Sequence, residues 1–279
     1  MTVARHHLRA ITYLAPSIPT RFFRSITDYL GDRLGADVQL IVEPRVSGPR
    51  VDDNPFETGD VDIGFMCAPS LVALHEVDSP SLELLPAAPV FDDQRGRGRP
   101  VYFSDVVVHV NSDIERFEDL RGRAWAYNDP RSLSGWHSAL ERLRALNAGS
   151  EFFSSTVAAG SHLESLRLVI ERRVEAAALD STTLAHARAQ RPERTDALRI
   201  IESWGPFPVQ PVVVRSSLDS QTKDDIVGHL LAFVNSPEMT TLRDLPFKGF
   251  APAGYGDYLA SRAIVEAASR LEAIPSLRR

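Results

Sequence analysis

The strongest constraint on the fold of this chain is the alternation of short apolar runs with amphipathic helical patterns along most of its 279 residues. The first apolar run covers residues 8–13, and a helical pattern follows from Thr20 to a stop signal at Gly35. Phe22, Phe23, Tyr29 and Leu30 recur on one face of that helix and are predicted to be core residues. Strands that alternate with helices build a parallel or mixed sheet covered by helices. The sequence therefore predicts the α/β class.

The same alternation predicts two lobes. A chain of this length lies where one hydrophobic core usually splits in two. The run 101–110 is long, β-branched and unbroken, which suits a strand that crosses between lobes. We predict that residues 1–104 and 207–279 form lobe one and that 105–206 form an inserted lobe two. Further elements are predicted as strands at 38–42, 61–66, 82–91, 124–127, 152–157, 175–179 and 212–215, and as helices ending near 146 and at about 161–173, 182–190, 221–235 and 255–271.

Composition removes several classes of function. The 31 basic and 37 acidic residues give a net charge of −6, which argues against a nucleic-acid surface. Cys67 is the only cysteine, so an internal disulfide and a thiolate metal cluster are excluded. No run approaches the ~20 apolar residues of a membrane span. We expect no metal, no cofactor and no membrane span.

The location of the protein stays open at this stage. The first residues lack the charged-then-apolar layout of a secretory signal. A native start at Met1 predicts a cytoplasmic protein, whereas a removed leader predicts a periplasmic or membrane-associated one.

The chain carries no catalytic signature such as G-x-S-x-G, G-x-x-x-x-G-K or H-E-x-x-H. What recurs is a strand that ends in a turn and opens a helix with small hydroxylated residues, at 15–20, 68–70, 131–135, 160–162 and 180–183. A helix start leaves N–H groups without partners and carries partial positive charge, so it can bind an anion. The candidate ligand-binding residues from these turns are Ser17, Ser132, Leu133, Ser134, Gly135, Ser161, His162 and Asp180.

A purely structural role is the alternative for each of these turns. Ser161 and Glu164 fit the capping box S-x-x-E, and this role is favoured for Ser161. Asp180 equally suits the N-cap of the following helix, and the turn 131–135 equally suits a plain N-cap. Trp136 and Trp204 are predicted to be packing residues.

Several stretches in order resemble one family. The spelled-out motifs are Gly-Asp-Val-Asp-Ile-Gly-Phe at 59–65, Ala-Pro at 68–69, Tyr-Phe-Ser at 102–104, Asp-Pro-Arg-Ser-Leu-Ser-Gly at 129–135 and Gly-Ser-His at 160–162. The stretches 84–90, 118–122 and 174–181 complete the set. Together they resemble the substrate-binding proteins of phosphate, phosphite and phosphonate ABC transporters. The resemblance implies a two-lobed periplasmic-binding-protein-like (type 2) fold, with mixed sheets covered by helices and a ligand cleft between the lobes. It implies that Tyr102 and the Ser132-to-Gly135 turn hold an anionic head, with His162 and Asp180 holding the rest.

The sequence departs from this family pattern at two places. Leu133 stands where the family has Thr in Ser-Thr-Ser-Gly, which removes a hydroxyl donor worth about 1.5–3 kcal/mol to an oxyanion. The aromatic ligand residue that the family has before the Gly-Asp-Val-Asp stretch has no clear counterpart in 49–58. The expected ligand is therefore either phosphonate-like or a carboxylate-bearing molecule, including one with an apolar part.

Three functional hypotheses follow. The leading one is a non-catalytic solute-binding protein that captures a small anionic ligand for ABC-type uptake, with a transporter permease as partner. The second is a cytoplasmic enzyme on the same fold, similar to enzymes of menaquinone or thiamine-pyrimidine biosynthesis. His162 with Asp180 is the one titratable pair we can propose for it, and we assign no catalytic residue. The third is a sensor that passes ligand-driven closure to a partner.

Overall fold

The computed structural model describes residues 6–75 and 80–272. Its contacts divide the chain into two compact units. Unit 1 ends its first part at Val101 and resumes from Pro208 to Tyr258. Unit 2 runs from Tyr102 to Phe207 and resumes at Leu259. Each unit is organised around its own sheet.

The regular elements follow one another in the predicted alternation. The strands are β1 (His7–Thr12), β2 (Asp37–Val42), β3 (Ile63–Phe65), β4 (Leu82–Leu84), β5 (Ala88–Phe91), β6 (Val101–His109), β7 (Ala124–Tyr127), β8 (Ser155–Ala158), β9 (Ala176–Asp180), β10 (Leu198–Pro208), β11 (Val212–Arg215) and β12 (Phe247–Ala251). The helices are α1 (Thr20–Leu34), α2 (Ala68–His75), α3 (Ser138–Ala145), α4 (His162–Ile170), α5 (Ser181–Gln190), α6 (Pro192–Thr195), α7 (Ser220–Ala232) and α8 (Tyr255–Glu272). Shorter helical turns lie at Gln94–Gly96, Phe117–Leu120, Leu133–His137, Ser150–Phe152, Phe233–Asn235 and Pro237–Leu242.

Unit 1 contains a sheet in the order β2-β1-β3-β11-β4. β1 is parallel to β2 and β3, whereas β11 is antiparallel to β3 and β4. Helix α1 ends as predicted, because Gly35 adopts a φ of 62° that favours glycine. Phe22 and Phe23 are buried and meet at 5.2 Å in an edge-to-face pair. The prediction of an α1 core face is confirmed.

The prediction of one continuous strand at 82–91 is wrong. The segment forms two short strands, β4 in the large sheet and β5 in a separate pair with β12. Pro86 lies at the break and has no N–H to donate to a ladder, which is the physical reason for the interruption. Strand β12 was not predicted from the sequence.

Unit 2 contains a mixed sheet in the order β10-β6-β9-β7-β8. β6 is antiparallel to β9, and β7 is parallel to β8 and β9. Both faces of this sheet are buried: Val106, Ala176 and Trp125 belong to the core on one face, and Val107 and Ala177 to the core on the other. A strand that is covered on both faces is rich in apolar residues along its length, as in the Val106–Val108 part of β6 and the Ala176–Leu179 part of β9.

Three details of unit 2 differ from the sequence prediction. Residues 150–152 form a helical turn, so the strand predicted from 152 begins only at Ser155. Strand β10, at Leu198–Pro208, was not among the predicted strands, and it includes Gly205 and two prolines. Helix α6 was missed because its pattern is too short to show periodicity.

The contact units differ from the predicted lobes at the C-terminal helix. The chain from Leu259 groups with unit 2, and Ala268 is buried in the same core cluster as Trp125. The predicted division into two functional lobes, 105–206 and 1–104 with 207–279, stays a prediction. Among the residues that the structure describes, no helix is long and apolar enough to cross a membrane.

Candidate functional site

The helical segment after strand β7 begins with one unusually wide turn. Leu133–His137 forms this turn, and α3 continues it without a break. Ser132 precedes it in extended backbone, and its hydroxyl accepts a hydrogen bond from the Gly135 N–H at 3.1 Å. The Ser132 carbonyl accepts from the His137 N–H at 3.0 Å, a spacing of five residues. Such wide turns occur frequently at functional sites.

Glycine is required at position 135 by a close approach of another side chain. A Cβ atom built on Gly135 would lie 1.8 Å from the carboxamide oxygen of Asn128. That oxygen is buried and has no hydrogen-bond partner among residues 6–75 and 80–272. The small residue therefore lets the Asn128 amide lie directly against the start of the helix.

Ser134 joins the helix start to α4. Its hydroxyl lies 3.0 Å from Nε2 of His162, within hydrogen-bond distance, and both residues are buried. Burial lowers the pKa of His162 to about 3, although a hydrogen bond with the Ala178 backbone acts in the opposite direction. The imidazole is thus neutral at physiological pH, and it offers one donor and one acceptor without charge.

Two further hydroxyls fix the position of Ser134. The Ser134 carbonyl accepts hydrogen bonds from the hydroxyls of Ser104 at 2.8 Å and Ser138 at 2.6 Å. Ser104 lies on β6 opposite Asp180 of β9 in the sheet register. The backbone of the wide turn is therefore held to the sheet by buried hydroxyls rather than by charges.

Asp180 and Ser161 both act as N-caps. The Asp180 carboxylate accepts from the Thr182 N–H at 2.7 Å and also from the Thr182 hydroxyl, at the start of α5. Ser161 accepts from the Glu164 N–H at 3.1 Å at the start of α4, while the Glu164 carboxylate is engaged by Arg167. The N-cap role that the sequence offered for each residue is confirmed, but of the predicted capping box only the Ser161 half is observed. Their ligand-binding roles stay predictions.

The remaining candidates occupy different settings. Tyr102 is buried on β6 with its ring 5.8 Å from that of Phe207. Leu133 is fully buried, so its side chain belongs to the packing of the wide turn. Ser17 lies half-buried in the turn between β1 and α1, in unit 1 rather than unit 2. Trp136 stacks on Tyr127 at 4.4 Å, which confirms its packing role.

Sequence reasoning missed Ser138, Ser104 and Asn128 as members of this cluster. Ser138 follows Ser134 by four residues and so lies on the same helix face, a signal that was readable. Asn128 follows directly on β7, where polar residues at strand ends merit attention. Ser104 meets the helix start only through the pairing of β6 with β9, which one sequence does not display.

A serine hydroxyl against an imidazole is also a motif of nucleophilic catalysis. Here the depressed pKa of His162 makes it a weak base at neutral pH, which does not suit that role. Within the described ranges, no group of three or more His, Cys, Asp and Glu side chains could hold a metal ion. The arrangement suits the binding of an anionic group by hydroxyls and N–H groups.

The fold and this site together define a solute-binding class. The family model for the periplasmic substrate-binding protein of phosphonate ABC transporters matches residues 10–258. The chain therefore belongs to that family. The match confirms the family resemblance predicted from the sequence.

Individual relatives agree with the family match. The phosphonates-binding periplasmic protein of Escherichia coli is 28% identical over 160 residues, which cover 56% of this chain and 46% of that protein. The matched stretch thus spans about half the length of that curated relative.

Solved structures show the fold across nearly the whole chain. The PhnD1 protein of Prochlorococcus marinus, in complex with methylphosphonate, matches with a TM-score of 0.78 and 16% identity, covering 95% of this chain and 98% of that one. A binding protein component of an ABC phosphonate transporter from Pseudomonas aeruginosa matches with a TM-score of 0.72 and 18% identity, covering 96% and 97%. These likenesses confirm the predicted two-lobed periplasmic-binding-protein fold.

Proposed function

We propose that this protein binds a small solute through a compact anionic head, at the helix start formed by Leu133–His137, and delivers it to an ABC-type permease. Family membership supports the permease as partner. The residues of unit 2 support an anionic ligand. The observation that carries the proposal is the Ser132, Ser134 and Gly135 turn, with the Ser134 hydroxyl against a neutral His162.

The helix start supplies positive potential without a cation. The first N–H groups of a helical segment have no acceptor in a preceding turn, and the helix dipole adds partial positive charge there. The Ser132 cap is a neutral hydroxyl, so it leaves that potential uncancelled. At Gly135 the space that a side chain would take is occupied by the Asn128 amide, so the ligand is expected at the hydroxyls of Ser132 and Ser134. An oxyanion is the group that best complements this surface.

The side chains at this helix start are neutral, which indicates how the charge of the ligand would be balanced. His162 is uncharged at physiological pH, and Ser134 and Ser132 carry no charge. The head would therefore be held by directed hydrogen bonds and the helix dipole rather than by an ion pair. Hydrogen bonds to a charged group contribute about 1.5–3 kcal/mol each.

The identity of the head is the finer part of the proposal. Leu133 offers no hydroxyl and is fully buried, so the turn presents two serine hydroxyls rather than three hydroxyls in a row. A tetrahedral phosphonate head and a planar carboxylate head differ in how many donors they need. Leu133→Thr would add a donor and is expected to strengthen phosphonate binding more than carboxylate binding.

Calorimetry with methylphosphonate, inorganic phosphate, sulfate and acetate tests the proposal directly. We expect one or more of these anions to bind, and Ser134→Ala to weaken that binding roughly tenfold to a hundredfold. Ser155→Ala is a matched control, because Ser155 lies exposed on β8 in the same unit. Equal binding by the two variants, or no binding of any probe by the unaltered chain, would contradict the proposal.

The enzyme hypothesis gains no support from these observations. His162 and Asp180 are each engaged elsewhere, with Ser134 and with Thr182 respectively. The family match and the relatives reported above are binding proteins.

A further inference from the structure

A cavity lies wholly within unit 2, between helix α4 and helices α5 and α6. Its volume is about 550 Å³. Small-molecule sites commonly have volumes of about 300–1,000 Å³. Apart from Ser161, none of the candidate ligand-binding residues lines it.

One wall of the cavity is apolar. Leu163, Leu166 and Ile170 follow one another at helical spacing on α4, and Ala187 faces them from α5. Leu163, Ile170 and Ala187 are only half-buried, so the wall exposes apolar surface to the cavity. A ligand with an apolar part would remove that surface from water.

The lining of the cavity also includes two arginines whose charge is not paired within the described residues. Arg167, Glu164 and Glu171 also line the cavity, and Arg167 forms ion pairs with both of these carboxylates of its own helix. Arg191 and Arg194 line the cavity and are exposed. Neither of their guanidinium groups forms an ion pair in the part of the chain that the structure describes. The cavity therefore combines an apolar wall with two guanidinium groups available to an anion.

We propose that this cavity is a second binding site, for a small amphipathic anion. The apolar part of the ligand lies along the α4 stripe of Leu163, Leu166 and Ile170. Its carboxylate, sulfonate or phosphate group pairs with Arg191 and Arg194. The three helices form a recess rather than a flat surface, which favours a small molecule over a protein partner. The proposal does not depend on the anion site at Leu133–His137.

Titration of the isotope-labelled full chain with decanoate, below its critical micelle concentration, tests this site by NMR. We expect a dissociation constant on the order of 1 mM or tighter. Amide shift changes should be concentrated in α4, α5 and α6. Decyltrimethylammonium has a similar chain and the opposite charge, and it should bind at least tenfold more weakly. Equal binding of the two probes would overturn the assignment of the anion to the two arginines.

Two variants separate the contributions to this site. The double change Arg191→Gln with Arg194→Gln should weaken decanoate binding at least tenfold by removing both charges. Ala187→Phe should weaken it similarly by filling the cavity. Arg188→Gln removes a charge from an exposed position of α5 outside the lining and should leave binding unchanged.

The outcomes are distinguishable from those for the first site. Decanoate binding that survives both the arginine and the Ala187 changes would overturn the second site. Methylphosphonate titrated into the same variants reports on the Leu133–His137 turn, and its binding should be unaffected by them. Failure of methylphosphonate to bind would contradict the phosphonate form of the proposed function and leave the decanoate result standing.

Discussion

Two helical segments of unit 2 each follow a strand of the same sheet, and their starts differ in charge. The segment at Leu133 follows β7 and is capped by the neutral hydroxyl of Ser132. Helix α5 follows β9 and is capped by the carboxylate of Asp180. The carboxylate occupies the positive end of its helix, whereas the hydroxyl leaves it open to a ligand. The same strand–turn–helix pattern thus gives one start suited to an anion and one that is already neutralised.

The largest expected effect on anion affinity comes from replacing the hydroxyl cap of the Leu133 segment with a carboxylate cap like that of α5. Ser132→Asp should keep the helix capped but place a negative charge where the ligand head binds. Repulsion between two charges about 4 Å apart, at an effective dielectric constant of about 20, is about 4 kcal/mol, or roughly a thousandfold in affinity. Calorimetry with the anion that the unaltered chain binds measures this loss. Ser132→Asn is the matched neutral cap, and a comparable loss in that variant would refute the electrostatic explanation.

The second prediction concerns the close approach at Gly135. Gly135→Ala should lower the free energy of unfolding by about 2 kcal/mol, because its Cβ would collide with the Asn128 amide. Chemical denaturation followed by circular dichroism measures the change. Gly228→Ala is the control: it lies in helix α7 with open space around the added Cβ. That variant should be stabilised by about 0.5–1 kcal/mol, since glycine is unfavourable within a helix.

The third prediction concerns the pH dependence of stability, which we assign to two buried histidines at or near the Leu133–His137 turn. Desolvation lowers the pKa of His162 to about 3 and that of His137 to about 4, from 6.5. Between these values and 6.5 the unfolded chain binds protons that the folded chain does not, so stability rises with pH in this window and levels off above it. Each group contributes a slope of up to about 1.4 kcal/mol per pH unit, which falls to about half of that at pH 6.5. Denaturation midpoints from pH 5 to 6.5 measure it.

Variants assign this slope to particular residues. His162→Gln should reduce the slope of stability against pH by the contribution of one group, whatever its effect on stability at pH 7. His137→Gln should do the same, and the double variant should reduce it by both. An unchanged slope in the double variant would show that neither imidazole is kept neutral by burial.

The smallest effect is expected at a third helix start, that of α4. Ser161→Ala removes the hydroxyl that accepts from the Glu164 N–H and should cost about 1 kcal/mol of stability. Anion binding at Leu133–His137 should stay within about twofold, on the view that Ser161 serves its own helix. A loss of anion affinity as large as that of Ser134→Ala would instead place Ser161 in the site.

The sequence predicts the fold class and most element positions because periodicity and stop signals are local. α1 with its Gly35 end and β7 at 124–127 are examples. It misplaces β5 and misses β12 because that pair depends on contact between distant segments. The sequence identifies the Ser132-to-Gly135 turn, but it does not show which helix start has a carboxylate as its N-cap and which has a hydroxyl. That distinction needs the hydrogen bonds of Asp180 and Ser132, which pattern alone leaves open.

The contact between Gly135 and Asn128 has a consequence for sequence variation among relatives. The amide of Asn128 fills the volume that a side chain at position 135 would need. The two positions should therefore vary together, with a larger residue at 135 accompanied by a smaller one at 128.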